Sequence, residues 1–421
     1  MGARTKTVLK GFDYMHCDDF AKYLMDMAAK GWHFKEWSIG LKFEKGEPED
    51  VTYAVEVFTK ASENDMRPEP HTQEFAEYCE AAGWKLIDAK QKFCIFKKVD
   101  ENALELFTPE ERVSNSLKGM FSGAAVLLLV LYGINALLQW MNVFSFFKDH
   151  IFSNTLFFNI GIWTVMFIGQ LSSMIYAYFK CRKMKKAIAK GESIYIGIRQ
   201  DGKFHIGMRD VYVAILIVLL LSYLFMIGQK ELVLLNVFII VATLVFAFVI
   251  AKIRPENNTN VIIQMVFSVV LMLTIMVSVV GIFSAEREHE MTKDEVPLLI
   301  SDYREFHEEI DDISYYHERN LLGSSDIYFI YGEEKSIHYK VYRSEYTKIL
   351  DKIWEEEVYG REYNEGAVDG ARAWEAEQAF RNKIGTYYVR YENIILVFND
   401  YEDVYLSVEQ INIIRDKLDL R

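Results

Sequence analysis

Five stretches of this chain carry no Asp, Glu, Lys, Arg or His in their interiors: residues 119–141, 151–179, 211–228, 231–251 and 261–283. An apolar run of about 18 or more residues is long enough to cross ~30 Å of hydrocarbon as a helix. A surface helix of a soluble protein keeps a polar stripe for water, which these runs lack. The absence of charge therefore predicts a membrane all-α bundle of five spans. It also argues against ion or proton transport, because ionisable groups persist within spans mainly where a pathway uses them. Cysteine is scarce as well. Cys17, Cys79, Cys94 and Cys181 are the four present, none follows residue 181, and no CxxC or Cys/His cluster occurs. A disulfide scaffold and a structural zinc site are thereby disfavoured. There is no HExxH, no P-loop, no G-x-S-x-G and no kinase signature set. No enzyme activity, cofactor or metal is expected on those grounds. The first 15 residues lack the apolar segment and cleavage site of a signal peptide. Myristoylation is disfavoured, since Lys6 stands where that pattern places Ser or Thr.

Charge is strongly segregated. The chain carries 60 acidic and 47 Lys/Arg side chains among its 421 residues. Residues 286–421 hold 32 acids against 17 Lys/Arg, a net −15 that accounts for the whole negative balance. Such a segment is not expected to bind nucleic acid or anionic lipid through its net field. The basic side chains concentrate elsewhere. Residues 180–209 carry nine Lys/Arg against two acids, and Lys252 and Arg254 lie between the fourth and fifth runs. Arg112 and Lys118 precede the first run, whereas Lys148 is the one Lys/Arg between the first two. Cytoplasmic loops carry the Lys/Arg excess. This pattern predicts a multi-pass plasma-membrane protein with a cytoplasmic N-terminus and an extracellular C-terminus. The cluster Lys180, Arg182, Lys183, Lys185 and Lys186 is foremost a topology signal. It is also a candidate contact for anionic lipid.

Three parts follow: a cytosolic α+β domain over residues 1–110, a bundle over 119–283 with a basic loop at 180–209, and an acidic α+β domain over 286–421. The first part contains a repeat. Residues 20–45 read FAKYLMDMAAKGWHFKEWSIGLKFEK, and residues 75–98 read FAEYCEAAGWKLIDAKQKFCIFKK. Aligned on Gly31-Trp32 and Gly83-Trp84, each is an amphipathic helix, a glycine suited to the left-handed position that closes a helix, and two strands. Val51–Phe58 supplies a further strand and residues 7–12 another. The expected fold is a duplicated α-Gly-Trp-β-β unit with ferredoxin-like layering, an antiparallel sheet beneath two helices. Trp32 and Trp84 are read first as core residues. The sharper reading places Trp32, Trp37, Tyr53 and Trp84 around a groove for a peptide or ligand. Residues 61–70 (ASENDMRPEP) form a polar insertion.

The helix ending Met-Ala-Ala-Lys-Gly-Trp-His-Phe, the strand ending Phe43-Glu44-Lys45-Gly46-Glu47-Pro48 and the second helix ending Ala-Gly-Trp together resemble the family called domain of unknown function 2812. The resemblance covers residues 7–107. It implies a bacterial protein of the Firmicutes kind, with this domain ahead of membrane spans. It also implies expression linked to envelope or antimicrobial stress, because such genes often neighbour PadR-type repressors. The family carries no assigned catalytic residues.

In the acidic part, a helix is predicted over 292–319, capped by Thr292 with Glu295 three residues on. Hairpins are predicted over 326–342 and 386–399, and helices over 344–358, 367–381 and 407–420. His289, His307 and His317 stand among acids without ligand spacing, and so read as a solvated face. A hairpin is also read at 194–208. Taken together, the chain reads as a non-enzymatic integral membrane protein that senses a signal or binds protein partners at the cell envelope. The alternatives are an antimicrobial-peptide or toxin immunity factor, and a transporter or membrane enzyme for a neutral or lipid substrate.

Overall fold

In the computed structural model, the described residues are 5–197, 215, 230–285, 292–304, 310–332, 335–358, 370–401 and 405–420. They form two compact units. One comprises residues 1–135 and 162–275, the other 136–161 and 276–421.

The repeat at the start of the first unit is complete in structure. Strand β1 (Thr5–Val8), helix α1 (Cys17–Ala28), β2 (Trp32–Trp37) and β3 (Leu41–Lys45) form a three-stranded antiparallel sheet of order β1-β3-β2. Strand β4 (Tyr53–Val57), helix α2 (Pro70–Ala81), β5 (Trp84–Lys90) and β6 (Phe93–Lys98) repeat that order as β4-β6-β5. The β2–β3 ladder shifts register between Phe34 and Glu36, and the β5–β6 ladder between Leu86 and Asp88. The same bulge thus sits after the same Gly-Trp pair. Gly31 and Gly83 hold φ of 77° and 87°, which residues with a Cβ adopt reluctantly. The expected ferredoxin-like layering is therefore corrected: the strands divide into two separate three-stranded sheets. One reason is that Trp37 N–H and the Lys90 ammonium donate to Asp88 Oδ2 (2.6 Å) and Ser38 O (2.8 Å). Polar side-chain and loop bonds, rather than a continuous ladder, join β2 to β5.

The apolar residues of α1 face inward. Phe20 and Leu24 are fully buried with Phe43, Phe93 and Ile95. Phe20 stacks on Phe12 with centroids 4.3 Å apart, and meets Trp37 edge-on at 5.2 Å. Trp84 lies in a smaller cluster with Cys79, Cys94 and Phe96.

Helix α3 (Pro109–Met120) opens on a capping box in which Thr108 and Glu111 satisfy each other's backbone N–H groups. Helix α4 (Gly123–Ser145) follows, then a short α5 (Phe147–His150) and the long α6 (Asn154–Ile188). Within the first unit, α4 and α6 touch through Tyr132 and Trp163. Gln170 Nε2 also donates to Ala125 O at 3.3 Å. Helices α7 (Lys230–Ile253) and α8 (Asn257–Ala285) form the next described pair.

The five-span bundle is overturned. Among the described residues two helices are long and apolar enough to cross a membrane, Pro109–Ser145 and Leu156–Ile188, and Val237–Ile253 is a shorter apolar helix. The run at 151–179 is kept as a candidate span but starts later, at Leu156. Its first residues, Ile151 and Phe152, are buried in the core of a folded domain. The expected span at 211–228 and the second arm of the hairpin at 194–208 lie outside the described residues.

The second unit is built on a six-stranded antiparallel sheet. Its strands are β7 (Ile310–Asn320), β8 (Gly323–Gly332), β9 (Ser336–Arg343), β10 (Gln378–Arg381), β11 (Tyr387–Arg390) and β12 (Ile394–Asn399), in the order β10-β11-β12-β9-β8-β7. Helix α9 (Thr347–Val358) joins β9 to the later strands. The short α10 (Gly370–Trp374) and the closing α11 (Val408–Lys417) complete the set, α11 capped by the Ser407–Gln410 box. One sheet face packs Tyr328, Tyr339, Val389 and Phe398 against Trp374, Ile414 and Leu298. The other packs Tyr342, Tyr388 and Ile395 against Leu350, Ile353, Ile151 and Phe152. The predicted helix at 292–319 is not formed. The capping box at Thr292 opens a single 3-10 turn, Pro297 interrupts the segment, and Ile313-Ser314-Tyr315-Tyr316 joins the sheet, as suits β-branched and aromatic residues. The helix at 367–381 likewise shortens to α10, and its last residues form β10.

Candidate functional site

The most densely built polar site is in the first unit, where the turn between α7 and α8 meets the repeat domain. Arg254 is its centre. Its guanidinium pairs with Asp88 Oδ1 at 2.7 Å, and it donates to Met66 O at 2.5 Å and Ala89 O at 3.1 Å. Both partners are largely buried, at 13% and 5% side-chain exposure. Burial raises the Asp88 carboxyl above its ordinary range, and the Arg254 bonds with the Trp37 and Ala89 amides pull it back. Asn257 N–H donates to Glu69 Oε1 at 3.0 Å, and the Asn257 side chain reaches Asp65. Asn260, fully buried, donates to Asn64 O at 2.7 Å. Arg67 pairs with Glu256. The polar insertion at 61–70 is thus the receptor for this turn. Asp65 also accepts from Ser62 N–H and pairs with His71 at 2.9 Å, which shapes the receptor locally.

A second polar site lies where α3 leaves the domain. Arg112 bridges Glu56 (2.8 Å) and Asp18 (2.6 Å). Asp18 Oδ2 accepts from Ile196 N–H at 2.6 Å, and Asp18 N–H donates to Ile196 O at 2.9 Å. Tyr195 adds a bond to Asp19 at 2.8 Å. Burial pushes the Glu56 carboxyl up to about 7 despite the opposing pull of Arg112. The two sites tie α3, the segment after α6, and the α7–α8 turn to one domain.

The residues proposed for a groove are placed as follows. Trp37 and Tyr53 are buried in the main cluster with Trp32 packed beside it. Trp84 sits in the smaller cluster, donating its indole N–H to Leu104 O at 2.7 Å. The four are not brought together around one opening. Of the basic cluster, Arg182, Lys183, Lys185 and Lys186 are exposed on α6, while Ala177, Cys181 and Met184 of the same helix pack into the domain core. Lys180 donates to Met15 O at 3.1 Å.

Sequence reasoning passed over Arg254, Asp88, Asn257 and Asn260. A signal existed. The tripeptide Arg-Pro-Glu occurs at 67–69 and again at 254–256, and the two copies face each other through Arg67–Glu256 and Glu69–Asn257.

In the second unit, Glu357 gathers Tyr342 OH (2.8 Å), Lys148 (3.2 Å) and Lys340 (3.5 Å). Burial raises its carboxyl, but Lys340 and Lys148 leave it below its ordinary value. His338, stacked on Phe329 at 4.1 Å, is pushed down to about 4 by burial. Among the described residues no group of His, Cys, Asp and Glu could hold a metal ion.

Residues 17–131 match the family model described as protein of unknown function (DUF2812). The match runs from α1 through the repeat and α3 into α4. No curated protein and no solved structure matches the chain.

Proposed function

We propose that this chain is a non-enzymatic integral membrane protein, anchored by α4 and α6, whose repeat domain binds a cytoplasmic protein partner in response to a signal at the cell envelope. The membrane reading is supported by exposed apolar side chains along α4, among them Leu127, Val130, Leu131, Ile134 and Leu138. Orientation rests on charge: Arg112 and Lys118 before α4, and Lys180–Lys190 after the apolar part of α6, belong to the cytoplasmic face. The connection between α4 and α6, with the acidic domain that holds it, then stands outside, which requires the chain after α6 to cross an odd number of further times. In this reading the acidic domain receives the input, and partner binding by the repeat domain is the output.

The observation that carries the coupling is the Arg254 socket. A buried guanidinium bonded to one carboxylate and two carbonyls resists gradual distortion, because removing a partner leaves a charge uncompensated. A displacement of the α7–α8 turn must therefore move residues 64–69 and β5 with it, or break the socket. Hydrogen exchange of the full chain in detergent tests this. Arg254→Gln is expected to raise exchange in residues 61–69 and β5 while leaving β1–β3 protected. Unchanged exchange at 61–69 would remove the coupling.

A further inference from the structure

The β7–β8 turn is an unusual one. Two-residue hairpin turns favour Asn and Gly at their tips, yet this one reads Asn320-Leu321-Leu322-Gly323. Leu322 turns inward and packs, partly buried, against the cluster that contains Tyr342 and Phe152. Leu321 points outward and is 96% exposed, the most exposed of the large apolar side chains among the described residues. It cannot relax back into the domain, because the turn is held on both sides. Leu322 N–H donates to Asn320 Oδ1 at 2.8 Å, and Ser344 Oγ donates to Leu322 O at 2.5 Å. A Cβ at Gly323 would lie 2.2 Å from Arg343 O and 2.6 Å from the Phe152 ring.

The turn is also pinned to the connection between α4 and α6. Asn320 Nδ2 donates to Ile151 O at 2.9 Å, and Asn154 Nδ2, at the start of α6, donates to Arg319 O at 2.5 Å. Leu321 therefore sits at the level where the apolar part of α6 begins. At that same end of α4, Trp140 (41% exposed), Phe144 (64%) and Phe146 (55%) present aromatic surface. Aromatic residues favour the membrane–water boundary. Lys352 of α9 lies over the Phe147 ring at 4.4 Å and the Phe144 ring at 5.8 Å, the disposition of a cation whose apolar stem lies along the boundary.

We propose that the tip of the β7–β8 hairpin is a lipid contact. Leu321 enters the headgroup–acyl boundary beside Trp140, Phe144 and Phe146, and holds the acidic domain flat on the bilayer. The partner is the lipid surface itself, entered by apolar insertion. The inference rests on the reading of α4 and α6 as membrane spans, and an independent position reports on that reading.

The four native cysteines are buried, so a cysteine introduced at an exposed position takes a thiol-reactive fluorophore selectively. The full chain is reconstituted in phosphatidylcholine–phosphatidylglycerol vesicles with the fluorophore at Leu321→Cys, Leu138→Cys, Ile384→Cys or Glu409→Cys. Leu138 is exposed on α4, and Ile384 is an exposed apolar turn residue in the same domain as Leu321. Label at 321 is expected to be quenched at least twofold by lipid carrying a spin label near the headgroup, and shielded from aqueous iodide. Labels at 384 and 409 are expected to answer to iodide alone, and 138 to a deeper spin label. If 321 reads like 384 and 409 while 138 stays in lipid, the contact is refuted and the membrane reading stands. If 138 itself answers to iodide, the membrane reading fails and takes this proposal with it.

Discussion

At Glu56 burial and charge conflict. Its carboxyl keeps a proton up to about 7 in the folded chain, against an ordinary value of 4.5. Between those values the folded state binds the proton that the unfolded state has released. Stability from this group is therefore fully present below about pH 4.5 and falls as pH rises towards 7. Thermal unfolding of the full chain in detergent is expected to show a midpoint that declines across that window. Glu56→Gln should flatten the decline while keeping the Arg112 contact. A midpoint equally pH-dependent in both proteins would place the effect elsewhere. Residues of this kind are hard to read from a sequence. Trp84 was legible as a core residue because an aromatic that opens an alternating strand is commonly core, whereas Trp37 and Tyr53, read only as groove residues, are buried. Arg254 was read only as loop charge, since nothing local distinguishes a cation aimed at Asp88, 166 residues away, from one that marks topology.

At the scale of elements, the helix-glycine-tryptophan-strand unit was legible because its determinants are local: an apolar helix face, a glycine and an alternating strand. Gly31 shows how tight that determinant is. A Cβ there would approach Gly46 O to 2.7 Å, at a φ of 77°. Gly31→Ala is expected to destabilise the repeat domain by about 1–3 kcal/mol, because strain at such a φ adds to the close contact. Chemical denaturation monitored by tryptophan fluorescence would measure it, and a shift under ~0.5 kcal/mol would show that the turn can adjust. The pairing of strands was not legible, because it depends on long-range partners. Three antiparallel strands per repeat, in place of a shared sheet, follow from β1 and β4 each joining its own hairpin. The segment at 292–319 misled for the opposite reason. Its capping box is genuine, yet a cap specifies a first turn and not the turns after it, and the Tyr-rich run beyond it had a sheet to join.

For the molecule as a whole, length and hydropathy separated the apolar middle from two polar ends, but they could not tell a lipid-facing stretch from one that fills a protein core. Ile151 and Phe152 belong to the second kind, and so does the Ala177–Cys181–Met184 face of α6. We propose that α4 and α6 cross a membrane with the repeat domain in the cytoplasm and the acidic domain outside, the chain after α6 crossing an odd number of further times. Labelling of single exposed cysteines by a membrane-impermeant maleimide in intact cells tests it most directly, since the native thiols are buried. Glu409→Cys on α11 is predicted to label in intact cells, and Glu77→Cys on α2 only after permeabilisation. Labelling of Glu77→Cys in intact cells, or protection of Glu409→Cys until the membrane is opened, would contradict the account.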